Sequence, residues 1–265
     1  MSSDVSDWWK TEIIDMAPGQ IRLRGHPIQD LIGNVTFPQM IWLMTRGDLP
    51  TDAQAKLLEH ALVAAVDHGP QAPSIATARM AVTCGLGLNG AMASAVNMLD
   101  DVHGGAGEQA VSLYRLALSF VDEGDTPDAA AGRAVKHWTA HHGKYMPGFG
   151  HRFHTRDPRA PRLMELVKIA QDNGVVSGQS RGIALQIEEH LSDIKGRAIP
   201  MNIDGATAVI YAELGFEAPL ARGLFCLSRS VGILAHAWEQ TQQGGRNKGP
   251  LPKGNLWTYL KPSEK

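Results

Sequence analysis

Apolar side chains at Leu57, Leu58, Ala61, Leu62 and Ala65 fall at i, i+1, i+4, i+5 and i+8, the spacing of one helix face. Just before them Thr51-Asp-Ala-Gln54 reads as a capping box, in which the threonine hydroxyl accepts from a backbone N–H left free by the first turn. Thr36-Phe-Pro-Gln39 repeats the device and opens a short apolar segment over Met40, Ile41, Leu43 and Met44 that stops at Gly47. Ala/Met-rich helices are predicted over residues 75–84 and 90–99, and a more apolar one over 110–121, ending before Gly124. Thr126-Pro127-Asp128 supplies an N-cap with proline at the first helical position, for a helix that runs to about His141. Residues 162–173 are amphipathic through Leu163, Leu166, Val167 and Ala170, and Gly174 closes them. Further helices are predicted over 177–191 and 206–214, and the longest over 219–243. Residues 244–265 are rich in Pro, Gly and Lys and predict an irregular, mostly exposed tail. Alternating strand-like runs with hairpin turns are missing. The pattern therefore predicts an all-α chain of about ten helices with short, glycine-marked joints.

Composition narrows the class. With 265 residues and 43% of them hydrophobic, the chain can build a real core, and at 20% charged it does not read as disordered. Lys and Arg number 25 against 27 Asp and Glu, a net charge of −2, which argues against a general nucleic-acid binder. The two cysteines, Cys84 and Cys226, stand far apart in apolar contexts, which excludes a disulfide framework or a cysteine zinc site and points to a reducing cytoplasm. The first residues are acidic and polar, unlike a signal peptide, and apolar stretches such as Met40-Ile-Trp-Leu-Met44 are far short of a membrane span. A soluble cytoplasmic protein is expected.

Gly85-Leu-Gly87-Leu-Asn-Gly90 fits G-x-G-x-x-G, but a dinucleotide loop needs a preceding strand within a βαβ unit. The preceding segment is helix-like, so these glycines are read as a helix break and a site of close helix packing. His141, His142, His151 and His154 lack the acidic residue of a zinc pattern, and adjacent histidines diverge on a helix, so no metal site is assigned. Three glycine-flanked sites look less accidental: Asp101-Val-His103-Gly-Gly-Ala-Gly107, Pro147-Gly-Phe-Gly150-His151-Arg152 followed by Asp157-Pro-Arg159, and Asn202-Ile-Asp204-Gly205. Singly they read as a helix C-cap, a proline/glycine turn and an Asx-turn. Together they supply two imidazoles and a carboxylate on turns where a ligand can approach the backbone, a set suited to acid–base work on a carbonyl substrate.

The colinear order of these segments resembles the citrate synthase superfamily. Phe225-Cys-Leu-Ser-Arg229-Ser-Val-Gly232 with Ala235-His236 continues the match. Nearer the N-terminus, Leu23-Arg24-Gly25 through Asp30-Leu31-Ile32-Gly33 is similar to the family's R-G-Y-x-I-x-D-L-I segment. Ala65-Val-Asp67-His68-Gly-Pro70 is similar to its D-H segment, and especially to the A-D-H-G-P of ATP citrate lyase. Full-length citrate synthases place a much longer helical segment between the R-G-Y and D-H motifs, whereas Arg24 and His68 here are 44 residues apart. That compactness, like the overall length, resembles citryl-CoA lyase and the citrate-synthase-like module of ATP citrate lyase. His103, however, resembles the synthase motif, where the animal lyase module has a Phe.

The resemblance implies a citrate synthase-like fold: a large helical domain, residues 1–104 and 220–265, with a smaller helical domain, 105–219, inserted into it. It implies chemistry between an acyl-CoA and a 2-oxo acid such as oxaloacetate, with the CoA thioester as substrate and no cofactor or metal. Asp204 would be the base for the methyl proton of acetyl-CoA, His103 would hydrogen-bond the thioester oxygen, and His151 would polarise the ketone. His68, Arg159 and Arg229 would surround the carboxylates, since planar guanidinium forks match them. Arg246 resembles the arginine that family members lend from the neighbouring subunit; read alone, it is one charge in a basic tail. Arg152, Lys195 and Arg197, with Asn202, are candidate CoA contacts. A homodimer is expected, with the large domain's helices at its seam. Three activities stay open: a citryl-CoA lyase, a small citrate or 2-methylcitrate synthase that also hydrolyses the thioester, and a non-catalytic CoA-binding relative.

Overall fold

Both capping boxes form. In the computed structural model, which describes residues 8–151 and 155–262, the backbone N–H of Thr36 donates to the Gln39 side chain at 2.7 Å while the Gln39 N–H donates back to the Thr36 hydroxyl. Thr51 and Gln54 do the same at 3.0 and 3.2 Å. These pairs satisfy donors that the first turn leaves open, and so set where two helices begin. Three short strands, β1 (Ile14–Ala17), β2 (Gln20–Leu23) and β3 (His26–Pro27), precede eleven helices among the described residues. In chain order these are α1 (Ile28–Leu31), α2 (Phe37–Arg46), α3 (Asp52–Ala64), α4 (Pro73–Thr83), α5 (Leu88–Val96) and α6 (Ala106–Asp122). The rest are α7 (Pro127–His142), α8 (Arg159–Asp172), α9 (Gln179–Lys195), α10 (Ile203–Glu213) and α11 (Ala218–Gln243).

The fold is helical, as the pattern predicts, with one departure: the three strands form an antiparallel sheet in the order β1-β2-β3. The hairpin between β1 and β2 pairs Ala17 with Gln20 across Pro18-Gly19, where Gly19 takes φ +77. The next turn, at Arg24 and Gly25, also has positive φ, and the Arg24 guanidinium anchors it by donating to the Met44 carbonyl at 3.0 Å. Gly85, Gly87 and Gly90 follow a helix, not a strand. Gly85 has φ +97, which suits it to the α4–α5 turn, and a side chain on Gly90 would meet Leu86 first, at 3.3 Å.

The main core joins α2 and α3 to α6–α10 and the start of α11. Leu58, Leu113, Tyr114, Ile187, Ile210 and Leu224 are among its most enclosed side chains. A second, smaller core of Ile75, Ala78, Ala91, Ala95, Ile233 and Ala237 joins α4 and α5 to the C-terminal half of α11. α11 thus serves both. By length and composition this helix could cross a bilayer, and it places Arg229 only 5% exposed in its middle. Its outer face carries an exposed stripe of Leu227, Val231, Leu234 and Trp238. Residues 244–262 form the irregular, exposed tail that was expected, attached to the end of α4 where Asn247 N–H donates to the Thr83 carbonyl.

Candidate active site

His103 stands in a tight turn between α5 and α6, closed by a hydrogen bond from Asp100 N–H to its own carbonyl at 3.0 Å. The two glycines after it are needed for space: Gly104 has φ +114, and a Cβ there would lie 3.1 Å from the Phe225 ring. A Cβ on Gly105 would lie 2.6 Å from the Asp101 carbonyl oxygen. The ring itself is held by Ser74, a fully buried residue in the first turn of α4. The Ser74 backbone N–H donates to His103 Nε2 at 3.2 Å, and the Ser74 hydroxyl lies 2.9 Å from the same nitrogen. A backbone N–H can only donate, so Nε2 is an acceptor and the proton sits on Nδ1. Burial, reinforced by the Arg229 charge, holds His103 below the usual imidazole range. His103 is therefore a neutral ring that offers one N–H.

Asp204 reaches the site through a zipper between two loops. Asn202 caps α10: its side-chain oxygen accepts from the N–H groups of Asp204 and Gly205 at 3.0 and 3.2 Å. Its amide nitrogen donates to the Gly150 carbonyl at 2.7 Å, its backbone N–H donates to Gly148, and Gly150 N–H donates to Pro200. The two backbones touch at Gly148 and Gly205; a Cβ on Gly205 would lie 2.3 Å from the Gly148 carbonyl oxygen. Buried Tyr114 fastens the junction by donating to the Gly205 carbonyl at 3.2 Å. The zipper delivers His151 and Asp204 to one cavity. Burial raises the Asp204 carboxyl above its ordinary range, against the opposing pull of Arg229 and Arg159.

His68 meets His151 edge to face with ring centroids 5.8 Å apart. Burial, then the charges of Arg229 and Arg159, push His68 down. The end of α3 and the loop carrying His68 lie along α11: Ser228 Oγ donates to Leu62 O at 2.5 Å, Arg229 Nε to Ala65 O at 3.1 Å, and Gly232 N–H to Val66 O at 3.1 Å. Asp67 on the same loop has its carboxylate 3.3 Å from His236 Nε2, and accepts from Gly69 N–H. Among the described residues, the guanidinium of Arg229 makes its one hydrogen bond through Nε and lies over the Phe225 ring at 4.9 Å. Its field reaches His68, His103 and Asp204 together. Arg159 is gripped at two points by Asp157, at 2.9 and 2.8 Å. Asp157, 1% exposed, also accepts from Ile203 N–H at 3.1 Å and so ties Arg159 to the head of α10.

The cavity holds about 800 Å³ and is lined by His68, His151 and Asp204, with Lys195, Arg197 and Lys144 on its exposed rim. Asn202 lines it too, but the hydrogen bonds of its side chain bind the two loops. Arg152 lies outside the described residues. Arg246 sits on the exposed tail and does not line the cavity of its own chain. Sequence reasoning missed Ser74, Lys144 and the bracing role of Asp157. Only the Asp157-Pro-Arg159 spacing carried a signal for any of them. Among the described residues no group of three or more His, Cys, Asp or Glu side chains could hold a metal ion. His141 stacks on His137 and His142 on Trp138.

The citrate synthase of Heyndrickxia coagulans is 30% identical over 222 residues, covering 81% of this chain and 54% of that protein. The chain spans about half the length of the curated citrate synthases it matches. The structure of citryl-CoA lyase from Hydrogenobacter thermophilus is similar with a TM-score of 0.83 and 31% identity, covering 96% of this chain and 95% of that one. ATP citrate lyase from Methanothrix soehngenii shares the fold with a TM-score of 0.80 at 22% identity, covering 97% of this chain and 42% of that one. Residues 50–250, which hold His68, Ser74, His103, His151, Arg159, Asp204 and Arg229, match the family described as citrate synthase, C-terminal domain, and the chain belongs to that family.

Proposed function

We propose that this protein is a citryl-CoA lyase, cleaving citryl-CoA to acetyl-CoA and oxaloacetate. The observation that carries this reading is the near end-to-end likeness to the Hydrogenobacter lyase in both chains, in keeping with the 44 residues between Arg24 and His68. In cleavage, His151 takes the proton of the tertiary hydroxyl. The alkoxide electrons form the ketone of oxaloacetate, and the C–C pair passes to the thioester as its enolate. His103 meets the enolate oxygen with its Nδ1–H, and Asp204 gives its proton to the carbon. Its raised carboxyl suits a group that must carry that proton. Condensation is the same path reversed, so Asp204 must then start ionised. The cleavage rate is accordingly expected to fall as pH rises through the raised Asp204 value.

His68, Arg159 and Arg229 hold the carboxylates in this reading, with Arg246 supplied by a second copy. Lys195 and Arg197, together with Arg152 and Lys144, take the CoA phosphates. The exposed stripe of α11 is the seam of the homodimer. No cofactor beyond the thioester substrate enters these steps. The test is incubation with citryl-CoA: acetyl-CoA and oxaloacetate should appear without free CoA. Net citrate and free CoA from acetyl-CoA and oxaloacetate would instead establish a synthase. The synthase-type His103 and the 30% identical synthase relative favour that second reading. Tight acyl-CoA binding without turnover would remove both.

Ser74→Ala keeps the backbone donor to His103 and loses the hydroxyl. Turnover of citryl-CoA should fall about fivefold to tenfold, the worth of one hydrogen bond of ~1 kcal/mol, with KM unchanged. Steady-state kinetics check it, and an equal rise in KM would deny the positioning role.

A further inference from the structure

We infer that Arg222 is a positioning residue for His103, a three-way clamp that holds the turn bearing the oxyanion donor against α11 and α6. The inference rests on the role given above to His103. Arg222 stands in the second turn of α11, seven residues before Arg229, on the same face of the helix. Its guanidinium uses all three nitrogens. Nε donates to Glu108 at 2.5 Å, one terminal nitrogen to Asp101 at 2.5 Å, and the other to Asp100.

Those partners bracket His103 in the chain. Asp100 and Asp101 open its turn, and Glu108 lies in the first turn of α6, directly after the Gly-Gly pair. The turn has little burial of its own to fix it: Asp100 and Asp101 are exposed and Val102 is fully exposed. Beside the Ser74 contact to the His103 ring, its ties include the Asp100–His103 backbone bond, Asp101 N–H donating to the Asp100 carboxylate at 2.9 Å and Gln109 donating to the Asp101 carbonyl at 3.1 Å. Three carboxylates, two from the turn and one from α6, converge on one rigid, planar fork. A lysine ammonium, a point charge on a flexible stem, satisfies the charge without fixing the three directions. Ser74 holds the far nitrogen of the His103 ring, and Arg222 holds the backbone beneath it. With both in place, Nδ1–H is aimed at one spot. Loss of a well-aimed oxyanion donor costs about 100- to 1,000-fold in kcat, so loosening its support should cost a measurable part of that.

The clamp also neutralises charge near a cavity that Asp101 lines, and the experiment separates the two effects. Arg222→Gln exposes three carboxylates, whereas Asp100→Asn with Asp101→Asn removes two charges and leaves the arginine. Charge alone moves binding and turnover of an anionic thioester in opposite directions in these two variants. Positioning moves kcat the same way in both. The expected result is a fall in kcat of about tenfold in each, with KM within about twofold in the double Asn variant. Arg222→Lys should recover only part of the loss. The two lesions combined should cost no more than either alone. A second readout does not depend on activity: the ¹⁵N signals of His103, assigned by His103→Asn, should report a single Nδ1–H form in the wild type and a mixture of tautomers in Arg222→Gln. Unchanged kcat and unchanged His103 signals in a folded Arg222→Gln protein would overturn the inference. A wild type that turns over neither citryl-CoA nor acetyl-CoA with oxaloacetate would overturn the functional reading instead, and the His103 signals would still decide the clamp.

Discussion

Asp204→Asn should slow citryl-CoA cleavage by about 100- to 10,000-fold, the usual worth of a positioned general acid or base, and at the same time stabilise the protein. The two effects have one cause. The carboxyl is raised in the folded state because burial penalises its charge more than Arg229 and Arg159 favour it. The folded protein therefore binds this proton more tightly than the unfolded chain does. Stability tied to the group is present below the unfolded pKa and is lost as pH rises through the folded one. Above the ordinary carboxylate range the wild type carries a share of that penalty that grows with pH until the folded group ionises, whereas the amide has no charge to bury. Asp204→Asn should accordingly melt higher than wild type near neutrality, and the two should converge as pH falls below the ordinary carboxylate range. Thermal unfolding at several pH values, paired with turnover, measures both. A variant that is inactive and also less stable at neutral pH would show that Asp204 serves the fold more than the chemistry.

Gly205→Ala should be as damaging by a different route. One methyl group would stand 2.3 Å from the Gly148 carbonyl oxygen and 2.8 Å from Met201 Cγ, and the first of these is backbone that cannot rotate away. To make room, the head of α10 must move off the 148–151 loop, stretching the Asn202–Gly148 and Asn202–Gly150 bonds that bring His151 to Asp204. Overpacking of this kind costs about 1–3 kcal/mol, which should lower Tm by several degrees. Activity should fall at least about 100-fold, because even ångström-scale misplacement of reacting groups has that effect. Gly182→Ala in α9 is the matched control. That position lies inside a helix with ordinary φ and nothing within 4 Å of the added methyl, so Tm should hold or rise. If both alanines behaved alike, the Gly148–Gly205 contact would not be what joins the two loops.

The contrast between these glycines also explains how much of the molecule was legible beforehand. Thr36, Thr51 and Thr126 announce helix starts because a cap is satisfied within three residues, so the information is local. The strands were missed because β1 is wholly and β2 largely exposed and neither buries one face, which removes the alternation that marks a strand. The Pro18-Gly19 dipeptide was the one turn signal there. The Asp204 segment stood out because Asn202-Ile-Asp204-Gly205 reads as an Asx-turn, and its place in the order that resembles the family singled out the carboxylate. The start of α10 at Ile203, and not near Ala206, puts that carboxyl in the first helical turn. Ser74 could not be read in the same way. Its link to His103 spans 29 positions and exists only once α4 packs beside the α5–α6 turn. Arg222 reaches carboxylates more than a hundred positions earlier, which no pattern along the chain marks.

The course of α11 has one more consequence. Arg222, Arg229, Gly232 and His236 stand on one helix and meet, in order, the His103 turn and then the loop of His68. At 1.5 Å per residue these contacts occupy about 21 Å of a single rod, so the turn of His103 and the loop of His68 are registered against one ruler. A residue gained or lost between 222 and 236 would turn one set of contacts by about 100° relative to the other. Length variation over natural or engineered relatives is therefore better accommodated in the tail beyond Lys248, past its anchor on Thr83, than in the central turns of this helix, which must keep their count.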